Sequence, residues 1–180
     1  MRKITRISIL VLGMACLAWA TTIRPMSVDR LTRLSSVIVE AHANQTWSQW
    51  NPEHTQIDTY TRLTVTRNFK GPQTTTVLVK QIGGTVGQIK EVAYGVRHLR
   101  PGDDAFLFLE PSAENDGTMR IVGLMQGNFL IHKTVAGEFM ASNGVPNVTV
   151  RSANGQLTPF AGSQMALSEL ETRVSKAVRQ

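Results

Sequence analysis

Residue types able to do acid–base, metal or nucleophilic chemistry are sparse in this chain of 180 residues, and they stand far apart. His42, His54, His98 and His132 are isolated from one another, and no pair has the spacing that puts two imidazoles on one helix face. Their expected place is the surface or an edge strand. Asp103-Asp104 offers paired carboxylates for acid–base work or a calcium loop. Pro101-Gly102 directly before them makes a solvated turn the better expectation, because Asp favours turns for local reasons. Glu40 and Glu110 fall in or at the end of β-rich runs and read as edge charges. No two carboxylates present themselves as the pair that glycoside hydrolysis needs. Gly83-Gly84-Thr85-Val86-Gly87 lacks the following Lys-Ser/Thr or helix start of a phosphate cradle, so a bulge or tight turn is expected there. No serine sits in a Gly-x-Ser-x-Gly elbow. The expectation is a non-enzyme, with no catalytic residue, no metal ligand and no cofactor.

Contact chemistry is better represented. Trp47 and Trp50 lie in a polar stretch after the first β-rich run, where they could stack on a sugar or grip a protein partner. The plainer expectation is that both fold back over a barrel mouth, since Trp is highly buried on average. Tyr60 and Arg62, on the wet face of the following strand, would extend a contact surface built on the tryptophans. Asn44-Gln45-Thr46 and Asn147-Val148-Thr149 match the glycosylation sequon, which matters only in a eukaryotic secretory path.

Those residues need elements to hold them. Residues 27–34 read as a short helix capped by Ser27, with Val28, Leu31 and Leu34 at helical spacing. Residues 36–43 form a β-rich run, followed by a loop holding Trp47, Trp50 and Pro52. Residues 55–69 are the clearest strand, in which Ile57, Thr59, Thr61, Leu63 and Val65 alternate with polar neighbours. Lys70-Gly71-Pro72 ends it, and 74–82 returns. Residues 85–98 suggest an irregular strand, and Arg100-Pro101-Gly102-Asp103 a type II turn. Phe106-Leu107-Phe108-Leu109 lacks polar alternation, as a strand covered on both sides would. Asn115-Asp116-Gly117 signals a hairpin turn, and 119–124 and 129–133 read as two more short strands. After a Gly-, Asn- and Ser-rich stretch with a hairpin near 138–141, residues 163–178 form an amphipathic helix bearing Leu167, Leu170, Val174 and Val178. Ser168 is an alternative cap. The fold class predicted is mostly β: a small antiparallel OB-like barrel over 21–133, with a sandwich as the alternative. A short N-terminal helix precedes it, and an irregular extension and helix over 134–180 pack on the same domain.

Residues 1–20 carry the layout of a signal peptide. Arg2, Lys3 and Arg6 precede an apolar run over 7–20, and Ala18-Trp19-Ala20 places small residues before a cut after Ala20. The run is shorter than the ~20 residues of a membrane span; a retained anchor is the alternative. Cys16, the sole cysteine, falls in this segment, so the mature chain would have no thiol, and lipidation of Cys16 is the minor reading. The leader also holds three of the 19 Lys+Arg and none of the 13 Asp+Glu. Residues 21–180 therefore carry a net charge of only +3, with the cations scattered. That is weak support for nucleic-acid binding.

The succession 36–41, Asn68-Phe69-Lys70-Gly71, Gly83-Gly84, 100–109, Asp116-Gly117-Thr118-Met119 and 123–129 resembles an uncharacterised group of exported bacterial proteins. The stretch from Val37 to Gly123 also resembles the OB-fold domain of the netrin and tissue-inhibitor-of-metalloproteinases class. That resemblance implies a five-stranded OB-like barrel with helical additions. It does not carry the inhibitor mechanism, which needs a disulfide-held N-terminal cysteine, whereas the expected mature chain begins Thr21-Thr22-Ile23. The functional expectation is an exported, secreted or periplasmic binding or structural module, without a membrane span, that contacts a protein or envelope component. Two alternatives stand beside it: an inhibitor or companion of a secreted metalloprotease, and a hydrolase using dispersed residues such as His98, Asp103 and Glu110.

Overall fold

The structure, a computed structural model, describes residues 24–145, 149–151 and 156–179. The expected leader, its cleavage point at Ala20 and Cys16 lie outside the described residues, as do Asn147 and Val148 of the second sequon. The chain is mostly β and closes into a five-stranded barrel. Its elements run α1 (Val28–Leu34), β1 (Val37–Trp50), β2 (Ile57–Lys70), β3 (Thr76–Ile82), a small hairpin of β4 (Gly84–Val86) and β5 (Ile89–Glu91), then β6 (Asp104–Pro111) and β7 (Met119–Ile121). A 3-10 turn (Leu124–Gly127) leads to β8 (Asn128–Lys133), β9 (Phe139–Ser142), β10 (Thr149–Arg151), β11 (Leu157–Pro159), β12 (Gln164–Ala166) and α2 (Leu167–Val178).

The barrel order is β1-β2-β3-β7-β6, closed by β6 against β1 with Val37 opposite Leu109 and Ala41 opposite Ala105. Four seams are antiparallel. The fifth, between β3 and β7, is parallel and consists of the single bridge Val79–Met119. From the first half of β6 the sheet continues outward through β8, β9 and β12. This strand order explains the Phe106-Leu107-Phe108-Leu109 run. Ala105, Leu107 and Leu109 face the barrel interior with Val39, Leu63 and Val79, while Phe106 and Phe108 face outward beneath Leu31 of α1 and Leu170 and Val174 of α2. Both sides are dry, so neither can be polar.

Local chemistry sets the boundaries. Ser27 caps α1, its hydroxyl accepting from Arg30 N at 3.3 Å. Leu34, expected on the buried stripe, is half exposed instead. Thr32 takes the inner position, its hydroxyl donating to the Val28 carbonyl at 2.8 Å. The turn before β6 is type II as its sequence demands. Gly102 has φ +92°, which only glycine adopts without cost, and Asp103 N donates to Arg100 O at 3.0 Å. The helix expected from residue 163 starts at Leu167. Ser168 lies inside its first turn rather than capping it, because residues 164–166 are spent pairing with β9. Residues 85–98 hold the β4–β5 hairpin followed by an extended run. Gly84 opens the hairpin, and any Cβ there would sit 2.4 Å from both the Ser48 and Thr59 hydroxyls.

One further difference bears directly on function. The stretch expected to be a loop bearing Trp47 and Trp50 is the second half of β1. Thr46 through Trp50 pair residue for residue with Thr61 through Ile57 of β2. Polarity made this segment look like a loop, but a strand with one solvated face tolerates Gln45 and Gln49 readily, and Ser48 on the other face is satisfied by the Thr59 hydroxyl at 2.8 Å. Residues 51–56 form the true connection.

Candidate functional site

Pairing of β1, β2 and β3 arranges the outer face of the barrel in rows. Trp47 stands opposite Tyr60, which stands opposite Lys80; Gln49, Asp58 and Ile82 form the next row, and Arg62 follows Tyr60 by two residues on the same face. The register sets Trp50 on the other face, beside buried Ile57, where it stacks on His54. The two tryptophans expected to act together are therefore separated by strand parity. Trp47, Tyr60 and Arg62 are brought together.

Trp47 and Tyr60 stack with centroids 5.6 Å apart and planes 13° from parallel. The Arg62 guanidinium lies 5.7 Å from the Trp47 ring centre, and the Lys80 ammonium 5.9 Å from that of Tyr60. Because β1 and β3 flank β2, Tyr60 is held between Trp47 and Lys80. Trp47 is half-buried on the outer wall of the barrel rather than folded over its mouth. Among the described residues Arg62 has no ion-pair partner, so its charge is free to meet one.

Lys80 is the junction of this surface. Its ammonium lies 3.3 Å from Asp58, 3.4 Å from Glu114 and 3.9 Å from Asp116. Asp58 is buried and also accepts from Gln56 Nε2 at 2.7 Å. Burial of Lys80 works against its charged form, but Asp58, Tyr60 and Glu114 outweigh this and hold its pKa above the usual lysine value. The hydroxyl of Ser112 and the Lys80 ammonium keep Glu114 below the usual carboxylate range. The Thr118 hydroxyl and backbone N–H do the same for Asp116. The 112–118 loop thus presents stable anions at neutral pH.

Beside this cluster a cleft of about 450 Å³ opens where β3 and β7 diverge, with Lys80, Ile82, Val96, Glu114 and Leu124 in its lining. It lies between the 51–56 and 112–118 connections, on the strand face and loops by which OB barrels commonly take their ligands. Arg97, next to Val96, pins the 92–103 segment by donating to the carbonyls of Asn128, Ser142 (3.1 Å) and Gly144 (3.1 Å). Burial lowers its pKa from the usual arginine value.

The other candidates stay apart. His98 Nε2 lies 2.9 Å from the Ile82 carbonyl, Asp103 accepts from Arg100 N at 2.8 Å, and Glu110 pairs with Arg120 at 3.2 Å, so no two of the three share a contact. Asp103 and Asp104 are not a working pair: Asp104 turns to His42 Nδ1 at 2.7 Å while Asp103 closes its own turn. His132 is exposed at the end of β8. Among the described residues no group of three or more His, Cys, Asp or Glu is placed to hold a metal ion, and no helix is long and apolar enough to cross a membrane. Asp58, Lys80 and Glu114 escaped the sequence reading because they belong to three different segments. The one available signal was an acidic residue on an otherwise β-branched strand.

No protein-family model matches the chain, and no curated protein matches it.

Proposed function

We propose that this protein is an exported, non-enzymatic binding domain that contacts a protein or envelope component through the outer face of β1, β2 and β3. Export rests on the basic, apolar and small-residue succession of residues 1–20. The observation that carries the binding reading is the row Trp47–Tyr60–Lys80 with Arg62 beside it. An aromatic pair, with a guanidinium that has no ion-pair partner among the described residues, is set on rigid strands, and Lys80 at the end of the row lines a cleft. Aromatic and arginine side chains of this kind dominate the energetics of protein interfaces. The closed five-stranded barrel provides the OB-like scaffold on which this surface is built.

The test is capture from an envelope extract by wild type, Trp47→Ala, Arg62→Ala and Trp50→Ala, with melting temperature followed in parallel. Trp47→Ala and Arg62→Ala should lose the captured partner while Trp50→Ala keeps it. Capture unchanged by Trp47→Ala and Arg62→Ala places the contact elsewhere.

A further inference from the structure

We infer that the cleft at the β3–β7 seam receives an extended, basic segment of a partner protein. This deepens the binding reading above and depends on it.

Three independent features converge on that occupant. The seam ends after one bridge, Val79–Met119; beyond it Arg120 and Ile121 pair only with Glu110 and Leu109 of β6, and Lys80–Ile82 pair only with β2. Residues 97–99 close the inner side of the gap, bonding the Gln81 side chain and the Ile82 carbonyl, which leaves its outer side as a place where an extended chain can lie alongside existing ones. The apolar part of the cleft is exposed rather than sealed: Ile82 is 44% and Leu124 39% accessible. Leu124 is held at φ +58°, a left-handed conformation that a leucine adopts only at a cost, directly after Gly123 at +68°. What the strained backbone achieves is to present that side chain at the cleft.

Charge selects the sign of the occupant. The lining sets Asp58, Glu110 and Glu114 against Lys80 and Arg120, and Asp116 stands behind Lys80. The balance is negative on a chain whose overall formal charge is +6. Glu114 is well exposed, so an incoming ammonium or guanidinium reaches it without displacing Lys80. A basic residue of such a segment meets Glu114, and apolar residues beside it meet Leu124 and Ile82. Anionic polymers meet repulsion at the same place.

Fluorescence anisotropy with the full-length protein tests this, using labelled short peptides that alternate Lys with Val, or Glu with Val, and an oligothymidylate. The Lys-Val peptide should bind, and its Kd should rise roughly tenfold in Glu114→Lys, the scale of one lost charge-assisted contact. Leu124→Gly separates site from scaffold. It relieves the left-handed strain, so the melting temperature should hold or rise while peptide affinity falls. Equal affinity for the Glu-Val peptide, stronger binding of the oligothymidylate, insensitivity to both substitutions, or self-association abolished by Glu114→Lys would each overturn the proposal. Partner capture that needs Trp47 but ignores Glu114 and Leu124 sinks this inference and leaves the binding reading intact; capture indifferent to all three sinks both.

Discussion

Strand β6 is dry on both of its faces, whereas β2 is dry on one, and the two strands divide the molecule into a sealed side and an open side. On the sealed side Phe106, Phe108 and Phe129 interlock at 4.8–5.9 Å with one another and Phe69, under α1 and α2. On the open side the equivalent apolar layer is missing, and Trp47, Tyr60 and Arg62 stand over the same barrel beside Lys80, which the 112–118 loop covers instead. The helices explain the contrast. They bury apolar side chains where the sheet is apolar, and where the sheet is ionic no helix covers it. The proposed binding surface lies on the face that the helices leave uncovered.

Disrupting the sealed side should cost most. Phe106→Ala removes a ring that is fully buried between two others, and should destabilise by about 3–5 kcal/mol in a urea titration without altering partner capture first. On the open side Lys80→Met should come close behind, at about 3 kcal/mol, because it leaves the buried Asp58 carboxylate uncompensated. The double change Asp58→Leu with Lys80→Met should recover most of that loss. A double variant as unstable as Lys80→Met would show that packing, not the ion pair, sets the cost. Trp47→Ala should lose only ~1 kcal/mol, the scale of one ring pair, while abolishing capture.

Proton linkage sharpens the comparison further. Glu114 and Asp116 have lowered folded-state pKa values, so their contribution is present above the unfolded values of 4.5 and 3.8 and is lost as pH falls through the folded ones. Lys80 has a raised value, so its contribution is complete below 10.5 and is lost as pH rises through the folded value. The cluster is thus fully engaged from about pH 4.5 to 10.5, and Lys80→Met should flatten the alkaline limb of stability against pH, while the acid limb, set mainly by hydrogen bonds from Ser112 and Thr118, should persist. Glu40, near the α2 side, behaves oppositely. Burial raises its pKa, opposed by Arg67, and one of its oxygens has no hydrogen-bond partner among the described residues. Its ionisation therefore costs stability, which is recovered as pH falls through the raised value toward 4.5. Glu40→Gln should raise the melting temperature at pH 7 by ~2 °C, the smallest effect of the set. A fall of that size would assign the larger role to the Arg67 ion pair.

Much of the sealed side was legible in the sequence. The alternation of Ile57, Thr59, Thr61 and Leu63 gave the strand and its dry face, and the Phe-Leu-Phe-Leu run implied cover on both sides. The type II turn and the Ser27 cap followed from local chemistry alone. The open side was legible only in part. Tyr60 and Arg62 were visible as wet-face residues, but joining Trp47 to them required the register of β1, which a polar composition disguised as loop. Lys80 meets Asp58, 22 residues before it, and Glu114, 34 residues after it, and no local pattern encodes such a meeting.

The ring of strands closes where Val37 meets Leu109, between segments far apart in the chain. No local hairpin can stand in for that contact, so the entropic cost of joining distant segments falls before most of its reward. Refolding from denaturant should accordingly take on the order of milliseconds to seconds, slower than a helical bundle of similar length. Until that last join is made, the long β1–β2 ribbon would expose its dry face, a hazard that a chain delivered unfolded would have to survive.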